Sequence, residues 1–280
     1  MKRLKEPPRK KTMRIKYSIF LFFLCFLFLL FSPLTLSCYE RIISLSPQVT
    51  ESIYLIGAEQ RLIANTTFCK RPPDALKKEK IGTPQRPELE KIVSLKPDLV
   101  IAAQEANDFW FVERIKKIGI NTFFFKRPKD FKDLSHNFFV LGKLLKKEET
   151  AKKIIMDVKQ KLHKDVKSKQ FGVLWQIGSG PVVVATNTSF VNDIIEYSGG
   201  KNIINSEVPY MRISIEEIIK NPPQVIVLMD MGYSIQEEEK RWKKYLKDPV
   251  FVVLDPYVAS SPTPVTFLEA VTRLKEARNF

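Results

Sequence analysis

Two stretches decide the fold. The first is Leu89-Glu90-Lys91-Ile92-Val93-Ser94-Leu95-Lys96-Pro97-Asp98-Leu99-Val100-Ile101, and the second is Ile215-Glu216-Glu217-Ile218-Ile219-Lys220-Asn221-Pro222-Pro223-Gln224-Val225-Ile226-Val227. Each places a glutamate at the head of a short helical pattern. Each then stops at proline and enters a continuous apolar run. An apolar run of that kind marks a strand buried on both faces of a parallel sheet. The register holds across the whole stretch, and upstream Glu51 to Gly57 mirrors Asp193 to Gly199 in the same way. An internal repeat of this kind implies two lobes of related α/β design.

Outward from these stretches, strand and helix alternate. Ile42–Leu45, Leu62–Ala64, Leu99–Ala102 and Thr122–Phe125 read as strands, with helices over Thr50–Ile56, Leu89–Leu95 and Ala106–Ile118. Gly57 and Gly119 fit helix C-caps. In the second half, Phe171–Ile177, Val182–Ala185, Val225–Leu228 and Val250–Leu254 read as strands. Helices are expected over Phe190–Tyr197, Ser214–Lys220, Gln236–Tyr245 and Pro264–Ala277, the last with Thr263 as N-cap and Pro264 at its first position. Between the halves, Asp130–Leu145 and Glu148–Lys169 read as helices. The second carries apolar residues at Ala151, Ile154, Ile155, Val158, Leu162 and Val166, on one face. Twenty-two residues at helical rise give a rod of about 33 Å, long enough to bridge two lobes. The expected organisation is a targeting segment (1–38), an N-terminal lobe (39–128), a helical connector (129–170) and a C-terminal lobe (171–280).

The targeting segment stands apart in composition. Residues 2–16 hold eight basic side chains and one acid, Glu6, a net of +7 out of the chain's +15. An apolar run from Tyr17 to Phe31 follows, broken only by Ser18, and then the small and polar residues Ser32 to Cys38. A basic head, an apolar middle and a small-residue exit make an export signal. The alternative is an uncleaved anchor, since extending the span to Leu36 gives 20 residues. Thr35-Leu36-Ser37-Cys38 resembles a bacterial lipobox with Cys38 as the lipid-bearing residue; a Cys38–Cys69 disulfide is the competing use of that thiol. Without the head the chain carries +8. Its lysine-rich helices then read as solvated faces, and no nucleic-acid partner is expected.

The 280 residues, 44 % hydrophobic and 28 % charged, are globular rather than disordered. Three cysteines exclude a disulfide-framework mini-protein. Two histidines, His136 and His163, both on expected helices, argue against a transition-metal site, and no resident cofactor is expected. Gly178-Ser179-Gly180 is too short for a nucleophile elbow and lacks the third glycine of a dinucleotide fingerprint. No Walker motif is present. No catalytic residues are assigned.

Several segments resemble a known family. They are Arg41-Ile42-Ile43-Ser44-Leu45-Ser46-Pro47-Gln48-Val49-Thr50-Glu51, Pro72-Pro73-Asp74-Ala75, Ile81-Gly82, the Leu89–Val100 stretch, Tyr197-Ser198-Gly199-Gly200-Lys201-Asn202-Ile203 and Val208-Pro209-Tyr210. Together they resemble the substrate-binding proteins of bacterial ABC importers with a helical inter-lobe backbone, in particular the cobalamin- and iron-siderophore-binding group. The resemblance implies a monomeric binding protein outside the cytoplasmic membrane, in the periplasm or held there by lipid. It implies capture of a metal chelate between two stiff lobes and delivery to a membrane permease driven by a separate cytoplasmic ATPase. It implies that Glu90 and Glu216 pair with permease arginines, although an acid in a first helical turn is also favoured by the helix dipole alone.

A ligand in such a cleft meets the loops that follow the strands. Ser46, Phe68, Arg71, Arg86 and Gln104 are the candidates in the first lobe, and Trp175, Tyr210 and Arg212 in the second. Aromatic faces with arginines suit a flat, partly anionic chelate. Tyr210 follows Val208-Pro209, where the cobalamin binders carry an aromatic residue. Pro84 and Ala103 fall where those binders carry tryptophans, so a corrinoid, haem, a ferric siderophore and an oxyanion such as molybdate all stay open. A tetrapyrrole chelatase shares the two-lobed design but needs a histidine in the cleft, which neither histidine supplies.

Overall fold

The computed structural model describes residues 38–162 and 170–277. The expected export signal before Cys38, His163 and the far end of the second connector helix lie outside them. Tyr39–Phe280 forms one compact unit.

The first lobe is a parallel sheet. Its strands are β1 (Ile42–Ser44), β2 (Leu62–Asn65), β3 (Glu79–Lys80), β4 (Leu99–Ala103) and β5 (Thr122–Phe125), in the order β3-β2-β1-β4-β5. The uninterrupted apolar run of β4 has a direct cause: both faces are covered. Leu99, Ile101 and Ala103 turn toward α1 (Pro47–Leu55) and the helical connector, packing on Val49 and Ile53. Val100 and Ala102 turn the other way, toward Ile92 of α2 (Leu89–Ser94) and Val112 and Ile115 of α3 (Phe109–Lys117). Pro47 opens α1, where its missing N–H costs nothing. Gly57 follows α1 at φ 70°, a conformation that favours glycine.

The connector is an antiparallel helix pair, α4 (Phe131–Leu144) and α5 (Glu148–Lys161). Asp130 caps α4 by accepting from Asp133 N. Gly142 lets the pair close, because a Cβ there would stand 2.5 Å from Ala151 Cβ. The pair belongs to both cores. Phe138, Leu141, Ala151 and Ile155 pack in the first lobe, while Phe131, Leu134, Val158 and Leu162 pack in the second. A bridge buried at both ends is stiff, since bending it would open one core or the other.

The second lobe has the strands β6 (Phe171–Ser179), β7 (Val182–Ala185), β8 (Gly200–Asn202), β9 (Tyr210–Arg212), β10 (Val225–Met229) and β11 (Val250–Leu254). Their order is β11-β10-β6-β7-β9, with β8 paired to the start of β6. Unlike the first sheet, this one is mixed: β6, β10 and β11 are parallel, but β7 runs antiparallel to both β6 and β9. Helices α6 (Phe190–Tyr197), α7 (Ile215–Lys220), α8 (Ile235–Lys243), α9 (Pro256–Ser260) and α10 (Pro264–Ala277) cover it. The sequence repeat is a repeat in space. α2 leads into β4 between β1 and β5, and α7 leads into β10 between β6 and β11. Thr263 and Thr266 cap α10 reciprocally: Thr266 N donates to Thr263 Oγ1 at 3.2 Å and Thr263 N to Thr266 Oγ1 at 2.8 Å.

Candidate cleft between the lobes

The C-terminal ends of the parallel strands carry the loops that meet across the lobes. Asn107, buried after β4, ties three first-lobe segments together. Its Oδ1 accepts from Ala103 N, and its Nδ2 donates to the carbonyls of Leu45 and Pro84, each bond 2.9 Å. That peg fixes the sheet edge from which the cleft residues project.

The cleft has two compartments. The larger, about 570 Å³, takes Phe68, Lys70 and Arg71 from the first lobe and Asp230, Asp255 and Tyr257 from the second. The smaller, about 190 Å³, is bounded by Glu105 and Arg127 on one side and Phe190 and Tyr210 on the other. Ser260, at the end of α9, borders both.

A charged cluster lies beneath the larger compartment. Arg71 Nη2 stands 3.2 Å from Glu269 Oε2 of α10, and its Nε 3.5 Å from Glu51 Oε1 of α1. The guanidinium lies over the Tyr257 ring, 5.8 Å from its centroid. Tyr257 OH donates back to Pro47 O at 3.2 Å, a further contact between the lobes. Glu51 is only 5 % exposed, and among the described residues its Oε2 has no hydrogen-bond partner. Burial pushes its carboxyl up to about 7; Arg71 opposes that rise and Glu269 adds to it. Burial also raises the Tyr257 hydroxyl, so it stays a donor.

In the smaller compartment Glu105 Oε2 accepts from Gln48 Nε2 at 3.3 Å. Burial raises the Glu105 carboxyl above its ordinary value, against the charge of Arg127.

The structure brings together some of the sequence candidates and separates others. Phe68, half exposed, and Arg71 line the larger compartment, and Tyr210 lines the smaller. Trp175 does not reach the cleft. It is wholly buried in β6, its indole N–H directed at Met229 Sδ, because both faces of that strand are covered. Ser46 is also wholly buried, and its carbonyl accepts from Ser44 Oγ and Thr50 N beneath the surface. Arg86 and Gln104 are exposed but line neither compartment; Gln104 Oε1 instead accepts from Arg127 N. Tyr210 and Arg212 stand on the edge strand β9 rather than in a loop, and Arg212 lies outside both compartments. Arg127, Phe190, Asp230, Asp255 and Tyr257 are additions. Most follow β5, β10 and β11, so the rule used for the other strands would have found them.

Cys69 is buried with its thiol 3.1 Å from Thr50 Oγ1 and 3.2 Å from Thr66 Oγ1, and no disulfide joins it to Cys38. Glu90 and Glu216 are exposed, each in the first turn of its repeat helix. The Glu216 carboxyl is lowered by hydrogen bonds from its own backbone and from Ser214.

Two α/β lobes, a bridge rooted in both cores and a cleft lined from both sides are the architecture of a bilobal ligand-binding protein. The periplasmic binding protein family matches residues 42–263, and the chain belongs to that family. Its role is that of a substrate-binding protein of an ABC importer. The vitamin B12-binding protein of Vibrio cholerae is 28 % identical over 244 residues, covering 84 % of this chain and 87 % of that protein. The crystal structure of the periplasmic vitamin B12-binding protein of Vibrio cholerae superposes with a TM-score of 0.70 at 27 % identity, over 86 % of this chain and 99 % of that one. A periplasmic haem-binding protein from Pseudomonas aeruginosa shares the fold at 20 % identity, with a TM-score of 0.75 over 85 % of this chain and 92 % of that one.

Proposed function

We propose that this protein captures a corrinoid, a cobalamin-type chelate, in the inter-lobe cleft and hands it to the permease. The charge balance of the larger compartment carries the reading. Of its two cations, Arg71 is already held by Glu51 and Glu269, which leaves Lys70 facing Asp230 and Asp255. A haem brings two carboxylates, a ferric siderophore is commonly anionic, and molybdate is a dianion. Each of these would meet more acids than free cations. A corrin ring is rimmed by neutral amides, which need donors and acceptors mixed in about equal measure. Phe68, Pro47, Tyr257 and Val253 supply apolar surface for a flat ring.

In this reading Phe68, Arg71 and Tyr210 are the ligand-binding residues kept from the sequence, joined by Lys70, Asp230, Asp255 and Tyr257. Glu90 and Glu216 dock on the permease, and the ATPase acts from the cytoplasmic side. The site of action is outside the cytoplasmic membrane, with Cys38 as the point of lipid attachment.

Equilibrium titration of the chain from Tyr39 onward tests the reading, using cobalamin, cobinamide, haem, ferric siderophores and molybdate. Submicromolar saturation by a corrinoid, with none by haem or molybdate, is the expected result. Tight haem binding would overturn it.

A further inference from the structure

The smaller compartment differs in chemistry from the larger one. Arg127 is exposed and shares its side of the compartment with Glu105, whose carboxyl feels its charge without an ion pair between them among the described residues. Tyr210 and Phe190 set aromatic surface opposite it. Glu105 supplies an acceptor anchored by Gln48. The space therefore sets one positive charge and its neighbouring carboxyl against two rings. At about 190 Å³ it is too small for a macrocycle, yet it meets the larger compartment at Ser260.

We infer that this compartment is a separate subsite for an aromatic base carried on a single phosphodiester, the lower nucleotide of a complete cobalamin. Arg127 takes the phosphate, whose one negative charge matches its one positive charge. Tyr210 and Phe190 take the base, since ring faces stack on ring faces. Glu105 accepts from a sugar hydroxyl. Burial holds its carboxyl above the ordinary value, which weakens its competition with a phosphate for Arg127. The corrin ring lies in the larger compartment, and Ser260 marks the crossing. The inference rests on the corrinoid reading and adds a preference to it: the protein distinguishes cobalamin from cobinamide, which has the ring but not the nucleotide.

The test titrates the chain from Tyr39 onward, and its Arg127→Gln variant, with cobalamin and with cobinamide, read by corrinoid absorbance. The unmodified chain is expected to bind cobalamin about tenfold more tightly, the size of one charge-assisted hydrogen bond. Arg127→Gln is expected to remove that difference by weakening cobalamin alone. Arg127 is exposed, so the variant is expected to fold, and a matching circular dichroism spectrum and melting temperature check that it does. Unchanged cobalamin affinity in the variant overturns the subsite and leaves the corrinoid reading standing. So does an equal loss for both ligands. Failure of the unmodified, folded chain to bind either corrinoid overturns the corrinoid reading, and the subsite with it.

Discussion

Arg71 and Glu269, 198 residues apart, join the two lobes by a guanidinium–carboxylate contact of 3.2 Å at the base of the cleft. The same guanidinium faces Glu51 inside the first lobe and the Tyr257 ring from the second. A ligand in the larger compartment therefore touches the residues that set the distance between the lobes.

The two carboxylates hold Arg71 unequally. Glu51 is buried and Glu269 is about two-fifths exposed. Removing the cation strands a buried charge, whereas removing the exposed partner does not. Arg71→Ala is expected to cost about 3 kcal/mol at pH 8. Glu269→Gln is expected to cost about 1 kcal/mol or less. Urea unfolding of both variants checks the ranking, and equal losses would place the weight of the cluster across the cleft rather than inside the first lobe.

Glu51 also makes stability depend on pH. Its carboxyl titrates at about 7 in the fold against an ordinary value of 4.5. Between those values the folded state holds a proton that the unfolded chain has released. Stability therefore falls as pH rises, at a slope of up to about 1.4 kcal/mol per unit. The contribution is whole below pH 4.5 and spent by about pH 7. Glu51→Gln removes the titrating group, so its stability relative to the parent is expected to climb across that window. Denaturation curves at half-unit pH steps measure the difference. A constant offset would show that Arg71 keeps Glu51 ionised throughout.

Much of this fold is legible in the sequence because its signals are local. Leu99–Ala103 is apolar without a break since both faces are covered, and Thr263-Pro264 announces α10 by cap chemistry. The repeat around Glu90 and Glu216 is legible for the same reason. Strand β9 is not, because three residues after Pro209 are too few to show a period. Trp175 misleads because the residue type suits a ligand, while the burial that removes it from the cleft comes from packing around Phe171, Val173 and Met229. The cluster of Arg71 with Glu51, Tyr257 and Glu269 leaves no local trace, since its members meet only through the lobe–lobe geometry.

Glu90 and Glu216 head corresponding helices, and each is followed three residues later by an exposed apolar side chain, Val93 at 45 % and Ile219 at 43 %. Residues three apart share a helix face, so each lobe presents an acid beside an apolar knob. Two such faces on related lobes suit a partner with two related basic patches. Glu90→Ala combined with Glu216→Ala is expected to abolish corrinoid uptake in cells while leaving the affinity of the isolated protein unchanged. Either substitution alone is expected to leave partial uptake. Capture of detergent-solubilised permease by the parent protein is expected to weaken as salt is raised, because exposed charge pairs are screened. A double variant that loses ligand affinity as well would move these acids from the docking face to the cleft. Uptake that survives in the double variant would assign them to helix capping alone, since an acid in a first turn is already favoured by the helix dipole.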